Sequence, residues 1–355
     1  MKRGARSLLP KINLNVVDPE TTRYKRTHNT AVAQTEEQLR QLYGAWKVIL
    51  CNSGLEAVNT AIALVKPRTL IVDDETYYET RVNFQYYADW VHCQYIQLSS
   101  LDNEDELTRA IQGKEKPVLI CGDSPSTFAH WKNTKKIAEI AHSFGAYVLM
   151  DNSVVSLYYS NPLKDGADIV AESYTKYVCG HGDTFAGGIA LSESMKWLDD
   201  QKVPVPVCGL KSIMTVVSRR GNIANPISAY EVSRGLETLP VRMKRHTESA
   251  TVIFKTLKAA GIKVLYPGVG GLITLWGMKP DFCSRFKHFV TCGTFGCTYS
   301  NANYFRSDSY YKSGICTRLS IGLEDPDFLI RDIEQALQIP LWDLYEKVKG
   351  GSYEV

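Results

Sequence analysis

Long apolar runs are missing from this 355-residue chain. No segment approaches the roughly 18 apolar residues that a membrane-spanning helix needs. The basic start, Met1-Lys-Arg-Gly-Ala-Arg-Ser-Leu-Leu-Pro10, lacks the apolar centre of a signal peptide. Charge of one sign is also missing: 41 lysines and arginines against 38 acids leave a net +3, and the basic residues are scattered. That balance gives no reason to expect nucleic acid or a membrane as partner. The nine cysteines are odd in number, irregularly spaced and without a CxxC pair. They read as reduced thiols of a soluble, cytoplasmic protein. The seven histidines never fall at metal-ligand spacing, so no metal is expected, and there is no P-loop, repeat or low-complexity tract.

What is present centres on Ala171-Glu-Ser-Tyr-Thr-Lys-Tyr-Val-Cys-Gly-His-Gly-Asp183. The apolar stretch Asp168-Ile-Val-Ala171 reads as a strand that delivers Lys176 beside two hydroxyls, Ser173 and Thr175. A phosphorylated aldehyde cofactor needs such a set: an amine for a Schiff base and donors for the phosphate. A solvated loop lysine would use the same residue types, and the flanking sequence decides between the two. Upstream, Ala146-Tyr-Val-Leu-Met150 is a short strand ending in Asp151, at the position where α/β sheets bind ligands. Asp151 either caps a turn or pairs with a pyridinium nitrogen and keeps it protonated.

Together these stretches resemble the Cys/Met-metabolism family of pyridoxal-phosphate enzymes, which includes cystathionine γ-synthase, cystathionine lyases, methionine γ-lyase and O-acetylhomoserine sulfhydrylase. The likeness is carried by Asp151-Asn152-Ser153, Gly166-Ala-Asp-Ile-Val170 and Ser173-Tyr-Thr-Lys-Tyr-Val-Cys-Gly-His181. It implies an α/β fold-type-I, aminotransferase-like large domain with a smaller C-terminal α/β domain. The expected division is 1–42 as an N-terminal arm and first helix reaching the neighbouring subunit, 43–230 as the pyridoxal-phosphate domain and 231–355 as the C-terminal domain.

Further residues take roles only through that resemblance. Tyr24-Lys-Arg-Thr-His-Asn29 resembles a Tyr-Ser-Arg-x-x-Asn-Pro-Thr motif, which implies that Tyr24 and Arg26 cross a dimer interface to the neighbour's cofactor phosphate. The family's proline is absent after Asn29, and residues up to about 32 read as an extended arm. Asn52-Ser-Gly-Leu-Glu-Ala57 follows a strand and opens a helix, an anion site by its free amides and dipole. There the resemblance implies a phosphate cradle of Ser53, Gly54 and Leu55. Asp74-Glu-Thr-Tyr-Tyr-Glu-Thr80 stands where the family has Asp-Asp-Leu-Tyr-Gly-Gly-Thr. Tyr77 then stacks on the cofactor ring, with a hydroxyl able to exchange protons if nearby cations lower its pKa; a core aromatic is the other reading. Tyr78 replaces glycine.

Asp123-Ser-Pro-Ser-Thr-Phe128 matches Glu-Thr-Pro-Ser-Asn-Pro, so Thr127 takes the place of the asparagine on the cofactor's phenolic oxygen. Thr294-Phe-Gly-Cys297 matches a Ser-Leu-Gly-Gly loop. Just before it stands Gly293, where the γ-enzymes have Glu and cystathionine β-lyases have Tyr, so the surrounding site should be roomier. Thr317-Arg-Leu-Ser-Ile-Gly-Leu-Glu-Asp325 implies that Arg318 clamps the substrate α-carboxylate with help from Thr294, although an arginine in a strand often pairs only with a structural acid.

The expected activity is β- or γ-elimination, carbon–sulfur or related, from an L-amino acid, with Lys176, Tyr77 and Asp151 catalytic. The alternatives are γ-replacement on an O-acylated homoserine, a specialised secondary-metabolite reaction, or a repurposed non-catalytic homologue. A homodimer or homotetramer with shared sites is the expected assembly.

Overall fold

The computed structural model describes residues 29–200, 212–307 and 314–351. Its first helix, α1 (Thr30–Tyr43), begins earlier than the sequence reading expects. The Asn29 side-chain oxygen accepts from the Ala31 and Val32 amides at 3.0 and 3.3 Å, satisfying donors that would otherwise be orphaned. An arm extending to about residue 32 is thereby corrected. Gly44, at φ +63°, ends the helix as a left-handed cap.

From there strands and helices alternate: β1 (Lys47–Cys51), α2 (Gly54–Val65), β2 (Thr69–Asp73), α3 (Tyr78–Val91), β3 (Gln94–Leu98) and α4 (Glu104–Ile111). Next come β4 (Val118–Asp123), α5 (Thr134–Ser143), β5 (Tyr147–Asp151), α6 (Ser156–Tyr159), β6 (Ile169–Glu172) and β7 (Gly187–Leu191). The seven strands lie in the order β1-β7-β6-β5-β4-β2-β3. Only β7 runs against its neighbours. The inner strands are short apolar runs because both faces are covered. Ile120 and Val148 point into one core, and Leu119 and Leu149 into the other. The parallel strands end together in Asp73, Asp123, Asp151 and Glu172, the sheet edge where ligands bind in such folds.

Helix α7 (Ser212–Arg219) and the 34-residue α8 (Pro226–Ala259) follow. Asn225 caps α8, and the helix runs on through Pro240. The second sheet contains β8 (Val264–Leu265), β9 (Leu272–Trp276), β10 (Val290–Thr291), β11 (Asn301–Ser307) and β12 (Gly314–Ser320), ordered β10-β11-β12-β9-β8. Ile273, Leu275 and Leu319 bury its inner face against α9 (Pro326–Leu337), and α10 (Trp342–Lys349) closes the described chain. No helix among the described residues is long and apolar enough to cross a membrane.

Two loops leaving the sheet edge are tied together by buried charge. Lys132 Nζ lies 2.9 Å from Asp73 Oδ2 and 4.0 Å from Glu75 Oε2, and Ser126 donates to Glu75 at 2.8 Å. Asp73 also accepts from the Glu75 and Leu101 amides at 2.9 and 2.8 Å. Removing the cation would strand a buried carboxylate. Lys132→Met is therefore expected to lower unfolding free energy by about 3 kcal/mol, read as a shift of the urea midpoint. An unchanged midpoint would show that the pair contributes nothing to holding the loops.

Candidate active site

Lys176 sits on the turn between β6 and β7. Its carbonyl accepts from Gly180 N–H at 2.8 Å, and Cys179 N–H donates to the Tyr174 carbonyl at 2.9 Å. Arg242 of α8 clamps the turn from outside, donating to the carbonyls of Tyr177 at 2.6 Å and Val178 at 3.0 Å. Gly180, at φ +73°, has no room for a Cβ because the Arg242 guanidinium fills that space. So fixed, Lys176 reaches across to the second sheet. Its Nζ donates to Thr294 Oγ1 at 3.0 Å and stands 4.9 Å from the Phe295 ring centre.

Burial disfavours the charged form of this amine, and the Arg318 guanidinium repels it further. The two effects pull its pKa down to about 8, against weaker opposition from Cys297 and Asp151. Arg318 is itself held without a carboxylate among the described residues. It donates to the Gly293 carbonyl at 3.3 Å and lies 5.3 and 5.8 Å from the ring centres of Phe295 and Phe305. That leaves its fork available to an anion.

A cavity of about 220 Å³ joins these groups. Ser53, Gly54, Leu55, Ser173 and Thr175 line one end, and Tyr77, Thr127, Asp151, Lys176 and Arg318 line the rest. Every described residue given a catalytic or binding role from the sequence therefore borders this cavity or, as with Thr294, bonds to Lys176. Tyr24 and Arg26 lie outside the described residues.

Several expectations are revised in detail. The Tyr77 pKa is raised, not lowered: burial and the negative charge of Glu79 outweigh Arg318. The Thr175 hydroxyl donates to the Ala186 carbonyl at 3.1 Å and accepts from its amide at 3.0 Å, so its proton serves the return of β7. Thr294 also accepts from Lys176, a contact the sequence did not suggest.

Two residues went unassigned in the sequence reading. Phe295 lies between the two cations, and Asp123 ends β4 beside Asp151, its register partner on β5. Asp123 Oδ2 accepts from the Tyr77 amide at 3.0 Å, while buried Oδ1 has no partner among the described residues. Burial and the neighbouring Asp151 push the Asp123 carboxyl well up. The strand-end rule that picked out Asp151 applies to Asp123 equally; Phe295 has no comparable sequence signal.

A mostly parallel seven-stranded sheet with a lysine on the β6–β7 turn and an acid at the end of β5 defines a fold-type-I, aminotransferase-like enzyme. The chain belongs to the Cys/Met metabolism PLP-dependent enzyme family, whose model matches residues 13–272. It is 31% identical over 251 residues to an L-methionine gamma-lyase of Porphyromonas gingivalis, a match covering 69% of this chain and 59% of that protein. It is 27% identical over 352 residues to a cystathionine gamma-lyase of Dictyostelium discoideum, covering 88% and 86%. A solved methionine gamma lyase of Micromonospora echinospora superposes with a TM-score of 0.82 at 23% identity over 95% of each chain, a likeness of fold.

The cofactor of that family is pyridoxal phosphate, and the cavity fits it at both ends. The Gly54 and Leu55 amides at the start of α2 have no acceptor among the described residues, which suits a phosphate. Backbone and strand are so close there that a Cβ on Gly54 would fall 2.6 Å from Ser173 Cβ. At the other end, Asp151 and the unpartnered Asp123 oxygen suit a ring nitrogen that carries a proton. Glu172 nearby is pushed up to about 8 by burial.

Gly54→Ala is expected to weaken pyridoxal phosphate at least 10-fold, measured as a dissociation constant by fluorescence titration; unchanged affinity would show the cradle to be elsewhere. In cofactor-free protein, modification of Lys176 by an amine reagent should rise with a midpoint near pH 8, since only the neutral amine reacts. An ordinary lysine titrates near ~10.4. Arg318→Ala should move that midpoint upward by removing the repulsion, as followed by peptide mass spectrometry.

Proposed function

We propose that the chain removes a substituent from the β or γ carbon of an L-amino acid. The observation that supports this most directly is one cavity bordered by a neutralisable amine, Lys176, and a guanidinium without a carboxylate partner, Arg318. Arg318 binds the α-carboxylate as a bidentate fork and orients the substrate. Lys176 takes the proton from Cα, a task suited to a base near pH 8. Pyridoxal phosphate, when bound, supplies an electron-accepting ring conjugated to the substrate nitrogen. Asp151 would keep a proton at the ring nitrogen, the amides of Gly54 and Leu55 with the hydroxyls of Ser53 and Ser173 would hold the phosphate, with Thr175 lining that end, Tyr77 would cover the ring face, and Thr127 would serve the phenolic oxygen. Removal of a second proton, at Cβ, extends the same chemistry to the γ carbon.

Replacement of the departing group by a thiol is the second reading. It is favoured by a 26%-identical relative from Bacillus subtilis named cystathionine gamma-synthase/O-acetylhomoserine (thiol)-lyase. Residues 43–230 act as the cofactor domain and 231–355 as the C-terminal domain in this reading. A homodimer or homotetramer is supported by the stripe Tyr78, Val82, Tyr86 and Trp90 on α3, exposed by 56, 39, 72 and 72%, and by Phe185, exposed by 75% at the cavity rim. Tyr24 and Arg26 would then reach the neighbour's phosphate. Eight described cysteines are free thiols, which supports a cytoplasmic setting.

Release of keto acid and ammonia from S-substituted cysteines and O-acylated homoserines, with and without an added thiol, tests the reaction and separates the two readings. Lys176→Ala should abolish turnover and the borohydride-fixable attachment of cofactor. Arg318→Ala should lower kcat/KM by about 30-fold or more, mostly through KM, for the loss of a charge-assisted hydrogen-bonded pair. Full turnover by Lys176→Ala would sink the proposal.

A further inference from the structure

The active-site cavity does not end at Arg318. A second cavity of about 330 Å³ lies beyond it, and the two share a wall of Tyr77, Glu79, Thr127, Gly293 and Arg318. The low point of that wall is Gly293. Among the described residues, a Cβ placed there would meet only Asn303 Nδ2, at 3.8 Å, so none of them blocks the passage at that point.

Both cavities carry charge of both signs. The inner one is bordered by Lys176, Asp123 and Asp151 and the outer one by Asp74, Glu75 and Arg81, while Arg318 and Glu79 border both. Two of those acids are already matched within the protein. Asp74 lies 3.5 Å from Arg81, and Glu75 is 2.9 Å from His130 and 4.0 Å from Lys132. Glu79 has no hydrogen bond or ion pair among the described residues, although it borders both cavities. It stands in the first turn of α3. Asn303 across the passage likewise has no hydrogen-bond partner among the described residues, and Phe128 and Phe305, 6.0 Å apart, give the outer cavity an aromatic floor.

We propose that Glu79 is a specificity-determining residue that selects amino acids whose side chain passes Gly293 and ends in an ammonium or similar cation. This deepens, and rests on, the reading of the inner cavity as an amino-acid site. The α-carboxylate seats on Arg318, the apolar middle of the side chain crosses the gap left by Gly293, and the distal cation meets the unmatched carboxylate. A distal carboxylate would meet Glu79 with like charge and be rejected.

The test uses three ligands of similar length: S-(2-aminoethyl)-L-cysteine, S-propyl-L-cysteine and S-carboxymethyl-L-cysteine. Each is titrated calorimetrically into full-length Lys176→Ala protein loaded with pyridoxal phosphate, so binding is read without turnover. The aminoethyl compound is expected to bind at least 5-fold tighter than the propyl compound, with the carboxymethyl compound weakest. Adding Glu79→Gln should bring the first two within 2-fold, and Glu79→Asp should restore the order. Gly293→Leu, whose Cβ is sterically accommodated, should weaken all three long ligands relative to L-alanine. Equal affinities for the three, or a preference untouched by Glu79→Gln, would overturn the proposal. Keto-acid release from S-propyl-L-cysteine by the parent holoenzyme reports on the reaction separately, so either idea can fail while the other stands.

Discussion

An amine drawn out of water and set beside a guanidinium is a poor place for a positive charge. Lys176 is in that situation, and most of the surrounding architecture keeps it there. Desolvation lowers its proton affinity first and Arg318 adds to the effect, so the side chain is poised between base and acid near pH 8. The position cannot drift, because Arg242 holds the carbonyls of the two following residues and Gly180 lets the helix approach. A long helix that otherwise only joins two sheets thus becomes the brace of the reactive turn. Thr294, delivered by the second sheet, fixes the amine at its far end.

The remaining charges follow from the same separation of signs. Acids gather at the ends of β4 and β5, where Asp123 and Asp151 sit in register; burial raises the cost of ionising both, and Asp151 adds to that of Asp123. A cationic ring placed against them would relieve that cost. At the opposite end, the start of α2 offers free amides to an anion. A cofactor with a basic ring and a phosphate therefore matches a dipole that the sheet edge already possesses. Arg318 stays outside this pairing, held by ring faces and one carbonyl, with its fork open.

Much of this arrangement is legible in the chain, and the part that is not has physical reasons. Lys176, Asp151 and the Gly54 turn lie where a short apolar strand stops at a polar residue, a local pattern that survives without tertiary information. Asp123 obeys the same rule, yet its significance depends on register with a neighbouring strand. The start of α1 at Asn29 is a capping event, in which one side chain satisfies two amides and overrides the extended look of the preceding residues. The direction of the Tyr77 shift could not be read either, because burial sets it first and Arg318, far off in the sequence, opposes the nearby Glu79. Strand β11 escaped notice since its edge-like sequence, Asn301-Ala-Asn-Tyr-Phe305, alternates only weakly and is organised by pairing with β12.

Four departures from the family pattern fall together in this geometry. Residues assigned to proton transfer, ring charge and carboxylate binding, namely Lys176, Asp151 and Arg318, keep the family's identities. Tyr78, Glu79, Thr127 and Gly293 do not, and all four border the outer cavity. Three of them also border the inner cavity, yet the shift at Lys176 has burial and Arg318 as its dominant causes. The four departures alter what a substrate's far end encounters. Loss of a side chain at 293 removes a steric stop, while a carboxylate gained at 79 lies across the same passage, so volume and charge change together. Two coordinated changes in one wall, with the reacting groups retained, fit a site whose chemistry is kept while its recognition of the distal group is redirected.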